Sequence, residues 1–252
     1  LMSTLSARSF SEPRLKDEMN SSALFTGLDG WTFLDDEQVW VINGWAGITT
    51  VQGTSGRMIS LQRNSQHYFQ RPDINHVRLD SSATSLTGTA MRIALNKQKG
   101  NVELNAAFSF VNPKFEINDL GFQGRSDVIY MHVVSGYRWT DPTEYFRSAS
   151  IYAGLAQSFD FGGNLTARGF YMNSYVQLLN YYALRLNLFC YPETYNPTLT
   201  RGGPLMRYPA WMEVNGAFST DRRASVVLGV SGDINRGANG AVQGLAGALY
   251  WK

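Results

Sequence analysis

The chain has 252 residues, of which 44% are hydrophobic and only 17% are charged, against about 25% charged residues in ordinary soluble domains. The net charge of +2 gives no reason to expect nucleic-acid binding, and the single cysteine, Cys190, excludes a disulfide framework or a cysteine-based zinc site. Apolar runs of about 18 to 20 residues, which a spanning helix needs, are absent, whereas low charge with many aromatic residues is typical of a membrane β-barrel.

Residues 1–37 are polar and show no clear hydrophobic period, which predicts an irregular lead-in or linker before a β-barrel domain over residues 38–252. No charged and apolar leader is recognisable at the start, as expected of a processed or partial chain. The last four residues, Leu249 to Lys252, end within a predicted strand. We therefore expect this domain to be incomplete at its C-terminus.

The first predicted strand runs from Val39 to Val51, and a long, mostly polar segment from Gln52 to about Thr84 follows it. Within that segment, Met58 to Leu61 is a candidate extension of a strand. From Leu86 the residues alternate between apolar and polar, and a tight turn at Lys97 to Gly100 leads into the next strand, which predicts a hairpin.

The stretch from Val102 to Phe110 has the clearest alternation in the chain. Val102, Phe108 and Phe110 fall on one side of an extended chain, and Glu103 and Asn105 fall on the other. This pattern predicts a strand between two unlike environments. Its apolar side meets either a protein core or lipid.

The same alternation continues to the end of the chain. It predicts strands from about Ile129 to Trp139, Ala149 to Phe159, Phe170 to Leu178, Tyr182 to Cys190, Met212 to Phe218, Val226 onward and Val242 to Trp251. In all we predict roughly ten strands, many of them near the roughly nine to eleven residues with which a tilted strand crosses a bilayer.

The predicted connections alternate in length. Turns near Lys97, Thr140, Asn180 and Asp221 are short, whereas the segments 52–84, 112–126, 191–209 and 233–240 are long, and a tight turn at Gly162 is the exception. Outer-membrane barrels have short turns at one end and long loops at the other. The fold predicted is therefore an all-β, antiparallel, up-and-down transmembrane β-barrel, of which this chain is a fragment, with a soluble β-sandwich as the alternative.

Three motifs occur in order on the long-loop side. They are Gln70-Arg71-Pro72-Asp73, the segment Phe115 to Phe122 (FEINDLGF), and Leu199 to Pro204 (LTRGGP). Together they resemble the C-terminal region of an uncharacterised Gram-negative family, domain of unknown function 5916, over roughly positions 57 to 223. The resemblance implies an outer-membrane barrel of unknown activity that usually follows a DOMON-like family-9 carbohydrate-binding module.

If the barrel prediction holds, the motif residues are neighbours and form a polar cluster for a ligand or cation. The candidate ligand-binding residues are Arg71, Asp73, Glu116, Asn118, Asp119 and Arg201. The competing interpretation is structural, since charged pairs and Gly-Pro turns commonly lock inward-folded loops, and we favour it. Expected partners are a lipid bilayer and either a carbohydrate or other outer-membrane proteins, without nucleic acid.

Signals for an enzyme are weak. His67, His76 and His132 have no HExxH spacing, and a GxSxG nucleophile elbow is absent from the sequence. We therefore predict no catalytic residues, no metal and no cofactor. The expected function is that of an outer-membrane pore, anchor or assembly component. The alternative is a cell-surface hydrolase or glycan-binding protein whose active part is an N-terminal module outside this chain or the loop cluster.

The polar sides of the predicted strands carry charges of both signs. These residues are Arg92, Glu103, Asn105, His132, Arg138, Arg185, Asn187, Glu213 and Asn215. Selective pores usually present rings of one sign. The mixture favours a cross-linked or plugged interior.

Overall fold

The computed structural model describes residues 1–238 and 240–251 and contains one large antiparallel sheet. Its twelve strands follow one another in chain order, β1 (Met2–Ala7), β2 (Ser22–Phe33), β3 (Trp40–Gln52), β4 (Ser85–Lys97), β5 (Val102–Val111), β6 (Val128–Trp139), β7 (Phe146–Phe159), β8 (Leu165–Leu178), β9 (Ala183–Tyr191), β12 (Trp211–Ser219), β13 (Val226–Gly237) and β14 (Gly240–Trp251). Between β9 and β12, β10 (Thr194–Asn196) and β11 (Met206–Tyr208) form a separate hairpin.

The prediction of an all-β, antiparallel, up-and-down sheet is confirmed. Each strand pairs with its sequence neighbours in the sheet, and β12 takes the place after β9 because the β10–β11 hairpin lies outside the order. Over the residues described, β1 and β14 each have one neighbour, so the sheet has two open edges. A sandwich would need two sheets packed face to face, whereas these twelve strands form one continuous sheet.

Residues 1–37 are not an irregular lead-in, and that expectation is wrong. They contain β1, the short helix α1 (Leu15–Glu18) and β2, and β2 pairs with β3 along its whole length from Ser22 to Phe33. The sequence pattern failed because β2 carries apolar side chains on both faces, with Leu24 on one and Ala23 and Phe25 on the other. When both faces carry apolar side chains, the alternation between apolar and polar residues that marks a strand is lost.

The two faces of the sheet differ in chemistry. Cross-strand partners share a face, and register places Ile93, Phe108 and Met131 side by side on β4, β5 and β6. We call this the apolar face. The opposite, polar face carries Asn96 beside Asn105. All nine residues that the sequence assigned to a barrel interior lie on the polar face.

The connections are sorted between the two ends of the sheet. Residues 34–39, 98–101, 140–145, 179–182 and 220–225 make short turns at one end, and 8–21, 53–84, 112–127 and 192–210 make long loops at the other, together with the tight turn 160–164. The predicted long loop at 233–240 is wrong, because β13 and β14 pair as far as Gly237 and Gly240. Glycine at φ +108° allows that turn.

The segment around Met58 to Leu61 is helical, so its prediction as a strand extension is also wrong. Helix α2 (Ser55–Arg63) begins after Thr54, whose hydroxyl accepts a hydrogen bond from the Arg57 backbone N–H at 3.1 Å. Met58 and Leu61 lie three residues apart and are both buried. That spacing places them on one face of a helix, and a short apolar run could not distinguish the two cases.

Aromatic rings on the polar face lie over glycines of adjacent strands. A Cβ added to Gly136 would lie 2.1 Å from the Tyr152 ring, and one added to Gly154 would lie 2.6 Å from the Tyr171 ring. These contacts require glycine because the ring occupies the place of a side chain. They join β6, β7 and β8 through packing in addition to backbone hydrogen bonds.

Candidate functional site

The long loops fold back over the polar face and cover its end. Four connections take part, 8–21, 53–84, 112–127 and 160–164, and we call them the loop layer. Met58, Leu61 and Phe69 of this layer pack with Val51 and Leu86 of the sheet in one buried cluster. The candidate functional site lies in this layer, because it holds most of the motif residues.

A close backbone contact fixes the 112–127 loop on the sheet. A Cβ added to Gly88 would lie 2.1 Å from the Phe115 backbone nitrogen, so only glycine admits the loop at this point of β4. The next residue, Glu116, donates its backbone N–H to the Thr49 hydroxyl on β3 at 3.2 Å. The first residues of the FEINDLGF motif are thereby held against the polar face.

Glu116 is the acceptor of a buried polar group. Its carboxylate lies 3.1 Å from His67 Nε2 and accepts hydrogen bonds from the Asn118 backbone and side chain at 2.7 and 2.8 Å. Burial would raise the pKa of the Glu116 carboxyl, but the hydrogen bonds from His67 and Asn118 outweigh it and lower that pKa. The carboxylate is therefore held in its charged form.

The other ring nitrogen of His67 faces Ser126, so His67 lies in space between a serine and a glutamate. His67 Nδ1 lies 2.9 Å from the Ser126 hydroxyl. These distances suit a catalytic triad, but the three residues are 1% to 4% exposed. The Ser126 hydroxyl also lies 2.8 Å from the Gln66 carbonyl and bonds to it. This arrangement connects the 53–84 and 112–127 loops by hydrogen bonds, and the Ser126 hydroxyl is not accessible to solvent.

Arg71 belongs to a second buried group. Its guanidinium donates to Asp160 at 3.3 Å, and its Nε lies 3.7 Å from the Asp73 carboxylate. Asp160 is fully buried and also accepts from the Asn164 backbone and side chain. Nearby, burial lowers the pKa of the Arg125 guanidinium.

Asp127 joins the same region from the end of the 112–127 loop. Its carboxylate lies 2.9 Å from His76 Nε2 and accepts the Phe161 backbone N–H at 2.9 Å. The group thus ties together three connections, 53–84, 112–127 and 160–164. The His76 Nδ1 atom is buried without a hydrogen-bond partner in the described residues.

Asp119 belongs to a third group, at the start of the chain. It accepts from Arg8 at 2.5 Å and from the Asn20 side-chain amide. Asn20 in turn accepts from Arg57 of α2 at 2.8 Å. Burial lowers the pKa of the Arg57 guanidinium, and the neighbouring Asp119 opposes that shift.

The six predicted residues are therefore distributed over several groups. Arg71 lies beside Asp73, and Asn118 donates to Glu116. Asp119 lies in the group of Arg57, whose guanidinium is attracted by both the Asp119 and the Glu116 carboxylates. Arg201 is exposed in the 192–210 loop, and the structure records no bond from its side chain to the other five. That loop contacts the cluster through the Leu205 backbone N–H, which donates to Asp73 at 2.5 Å.

Sequence reasoning missed the other members of these buried groups. They are Arg8, Asn20, His67, His76, Ser126, Asp127 and Asp160. The positions of Asp160 before a Gly-Gly-Asn turn and of Ser126-Asp127 before a strand were visible signals. The pairing partner of each residue could not be predicted, because the partners are far apart in the chain.

The polar face below the loop layer is bridged by side chains. Asn187 lies between Asn173 and Asn215, with hydrogen bonds of 2.8 and 2.6 Å across three neighbouring strands. Glu103 pairs with Arg138 and accepts from the Tyr152 hydroxyl at 2.8 Å. Mixed charges and amides therefore cross-link this face.

Among the described residues, no group of three or more histidine, cysteine, aspartate or glutamate side chains is placed to hold a metal ion. Across residues 1–238 and 240–251, neither helix is long and apolar enough to cross a membrane.

Comparison with known proteins gives one family and one distant structure. The sequence model of a family described as a domain of unknown function, DUF5916, matches residues 48–245. Curated proteins give no match. A mutant of the ferric enterobactin receptor from Pseudomonas aeruginosa is similar with a TM-score of 0.47 and 9% identity, over 90% of this chain and 39% of the receptor chain. This chain therefore spans less than half of that receptor's length.

Proposed function

The chain belongs to the DUF5916 family, a family of unknown function, and on that premise we propose that its sheet is part of a β-barrel wall in an outer membrane. The barrel serves as an anchor or assembly component, and its loop layer covers one end. The proposal rests chiefly on the chemistry of the apolar face.

The apolar face is wide, exposed and almost uncharged. Large side chains on it are exposed on strand after strand, namely Leu5, Leu24, Ile48, Ile93, Phe108, Val133, Leu155, Phe170, Leu186, Met212, Ile234 and Leu245. Twelve strands at about 4.8 Å spacing make a surface about 50 Å across. Monomeric soluble proteins rarely expose an apolar patch of more than a few hundred Å², so lipid is the cover that best suits this face.

Strand length and loop sorting support the same proposal. From β2 onward, the strands of the large sheet have 9 to 14 residues, and about nine to eleven are needed to cross a bilayer at a tilt. Short turns at one end and long loops at the other are the arrangement of outer-membrane barrels. The long loops then face outward.

Closure of the barrel is part of the proposal. The exposed edges of β1 and β14 carry unpaired backbone groups, and such groups are very unfavourable in hydrocarbon. We therefore expect both edges to be paired in the membrane as part of a larger barrel. An isolated open sheet would not be stable there.

The interior favours an anchor over an ion-selective pore. The polar face is bridged by amides and by the Glu103–Arg138 pair, and the loop layer lies across its long-loop end. A selective pore usually presents charges of one sign along an open path.

The first experiment is membrane fractionation of the full-length protein, followed by a gel that compares heated and unheated samples. Recovery in outer membranes with a heat-dependent mobility shift is the expected result. A protein that stays in the soluble fraction and shows no shift would overturn the proposal.

A ligand-binding site formed by the loop layer and the 192–210 loop is the second candidate, with a carbohydrate as the expected ligand class. It has support from the partly exposed Asp73 and the exposed Asn118 and Arg201, whereas Arg71 and Glu116 are buried and paired. Replacing Arg71 and Asp119 by alanine separates the alternatives. Loss of glycan binding with an intact heat shift supports a ligand site, and loss of the heat shift supports a structural role.

A further inference from the structure

We propose that a groove at the long-loop end of the apolar face binds a phosphate-bearing membrane lipid through Arg168 and Arg236. The inference rests on the proposed function, because it requires this face to lie in a bilayer. It adds a specific lipid site to that function.

The groove lies across four neighbouring strands. Phe170, Cys190, Met212 and Arg236 are at one level on β8, β9, β12 and β13, and Arg168 is two residues nearer the long-loop end. All five residues line an open groove with a volume of about 610 Å³. The two arginines stand on either side of an apolar floor.

The distribution of charged residues over the apolar face distinguishes this groove from the rest of the face. Among the described residues that pair in register on this face, three are charged, Lys97, Arg168 and Arg236. All three are basic, and this set contains no acidic residue. Lys97 lies at the short-turn end, where its amine donates to the Lys99 and Val102 carbonyls at 2.6 and 2.9 Å. The other two lie together at the long-loop end.

The position along the strands suits a lipid headgroup. Arg168 is near the start of β8 and Arg236 is next to the last residue of β13, so both lie where the proposed bilayer meets its headgroups. Both residues are exposed. A guanidinium binds phosphate through paired hydrogen bonds, and its aliphatic stem can lie along apolar surface. Arg168 donates to Gln157 at 3.1 Å, and a guanidinium has further donors.

The apolar floor favours a lipid over a free anion. Leu155, Phe170 and Met212 line the space between the arginines, and they offer contacts to an acyl chain and none to a soluble phosphate ion. Acidic side chains, which would repel a phosphate, are absent from the described lining of the groove. The occupant is therefore a lipid whose headgroup carries phosphate.

The test uses the full-length protein, extracted in a mild detergent and titrated with dioleoyl phosphatidic acid or with dioleoylglycerol, which has the same acyl chains and no phosphate. Native mass spectrometry counts the retained lipids. We expect preferential retention of phosphatidic acid, and about tenfold weaker retention when Arg168→Gln and Arg236→Gln are combined, the effect of losing two exposed charge pairs. Replacing both arginines by lysine should restore part of the preference.

Arg185→Gln is the matched control, since Arg185 is an exposed arginine on the polar face of β9. It should retain phosphatidic acid as the wild type does. The heat-shift gel establishes that every variant is folded, and Arg236→Gln alone replaces the double variant if that one does not fold.

The outcomes separate this inference from the barrel proposal. Equal retention of both lipids by a protein that fractionates with the membrane overturns the lipid site and leaves the barrel proposal standing. Displacement of phosphatidic acid by excess inorganic phosphate identifies a soluble anion site and also overturns it. A protein that is not found in membranes overturns both.

Discussion

At the scale of single residues, the loop layer depends on a few buried charges. Asp160 is fully buried and the Arg71 side chain is 3% exposed, so each stabilises the charge of the other away from bulk solvent. Removing one partner of such a pair leaves an uncompensated buried charge. This geometry suits the structural interpretation of Arg71, which stays a prediction.

The first prediction concerns that pair. Asp160→Ala should destabilise the folded protein by about 3 to 5 kcal/mol, because Arg71 then loses its buried partner. Urea unfolding of the full-length protein in phosphatidylcholine vesicles measures this change. Arg63→Ala, at an exposed position of α2, is the control and should stay within about 0.5 kcal/mol of the wild type. Equal effects of the two substitutions would contradict the prediction.

The second prediction concerns pH. Because the pKa of Glu116 is lowered in the folded protein from an ordinary value of 4.5, its stabilising contribution is complete above about pH 4.5. It is lost as the pH falls through the lowered folded value. The unfolding free energy should therefore decrease below pH 4.5, as seen in urea titrations at several pH values.

Glu116→Gln is the control for this pH dependence. It keeps the shape of the side chain and removes the titration, so the slope below pH 4.5 should become smaller than in the wild type. A variant with the same slope would show that other carboxyl groups cause the acid sensitivity.

At the scale of elements, strand alternation is clear where one face is apolar and the other is polar. It predicted β4 to β7, β9 and β12 at nearly their observed positions, whereas β8 begins at Leu165, before its predicted start at Phe170. It failed for β2, where both faces carry apolar side chains, and for α2, where a short apolar run is compatible with a strand or a helix. In both cases the observed structure depends on tertiary contacts, the pairing of β2 with β3 and the packing of α2 on the sheet.

The third prediction concerns packing between strands. Gly136→Ala should destabilise the sheet by about 1 to 3 kcal/mol, because the new methyl group would meet the Tyr152 ring at 2.1 Å. Gly30→Ala is a matched control within a strand, since its added Cβ meets nothing within 4 Å. Urea unfolding compares the two.

A double variant tests the cause of that effect. In the background of Tyr152→Ala, Gly136→Ala should have a smaller effect, since the ring is absent and only the Ile151 carbonyl oxygen, 2.7 Å from the added Cβ, remains in close contact. An undiminished cost in this background would contradict the ring as the main cause.

At the scale of the whole molecule, the sheet presents chemically opposite faces over its full width. Adjacent residues on one strand therefore face different surroundings. Val133 lies on the apolar face and is 44% exposed, whereas Val134 lies on the polar face and lines a hollow with Asn105 and Tyr152. This pair of identical residues allows a direct test of the lipid assignment.

The fourth prediction uses that pair. Val133→Arg should destabilise the membrane-inserted protein by about 2 to 4 kcal/mol, the cost of an arginine facing lipid near the bilayer centre. Val134→Arg should cost less, because its side chain points toward polar groups and open space. Folding into phosphatidylcholine vesicles, followed by the heat-shift gel, measures both. A larger cost for Val134→Arg would indicate that the apolar face does not meet lipid.

The antiparallel meander, the two unlike faces and the sorting of most turns and loops could be predicted from the sequence. These features follow from a period of two and from turn residues, which are local properties of the chain. Tertiary packing, in contrast, brings residues 1–37 into the sheet and folds the loops over its polar face. It also decided which charges pair, because Arg8 and Asp119 are 111 residues apart, Arg71 and Asp160 are 89 apart, and His67 and Glu116 are 49 apart. Such pairs are selected by burial, since an unpaired charge is unfavourable away from water, and no local pattern specifies them.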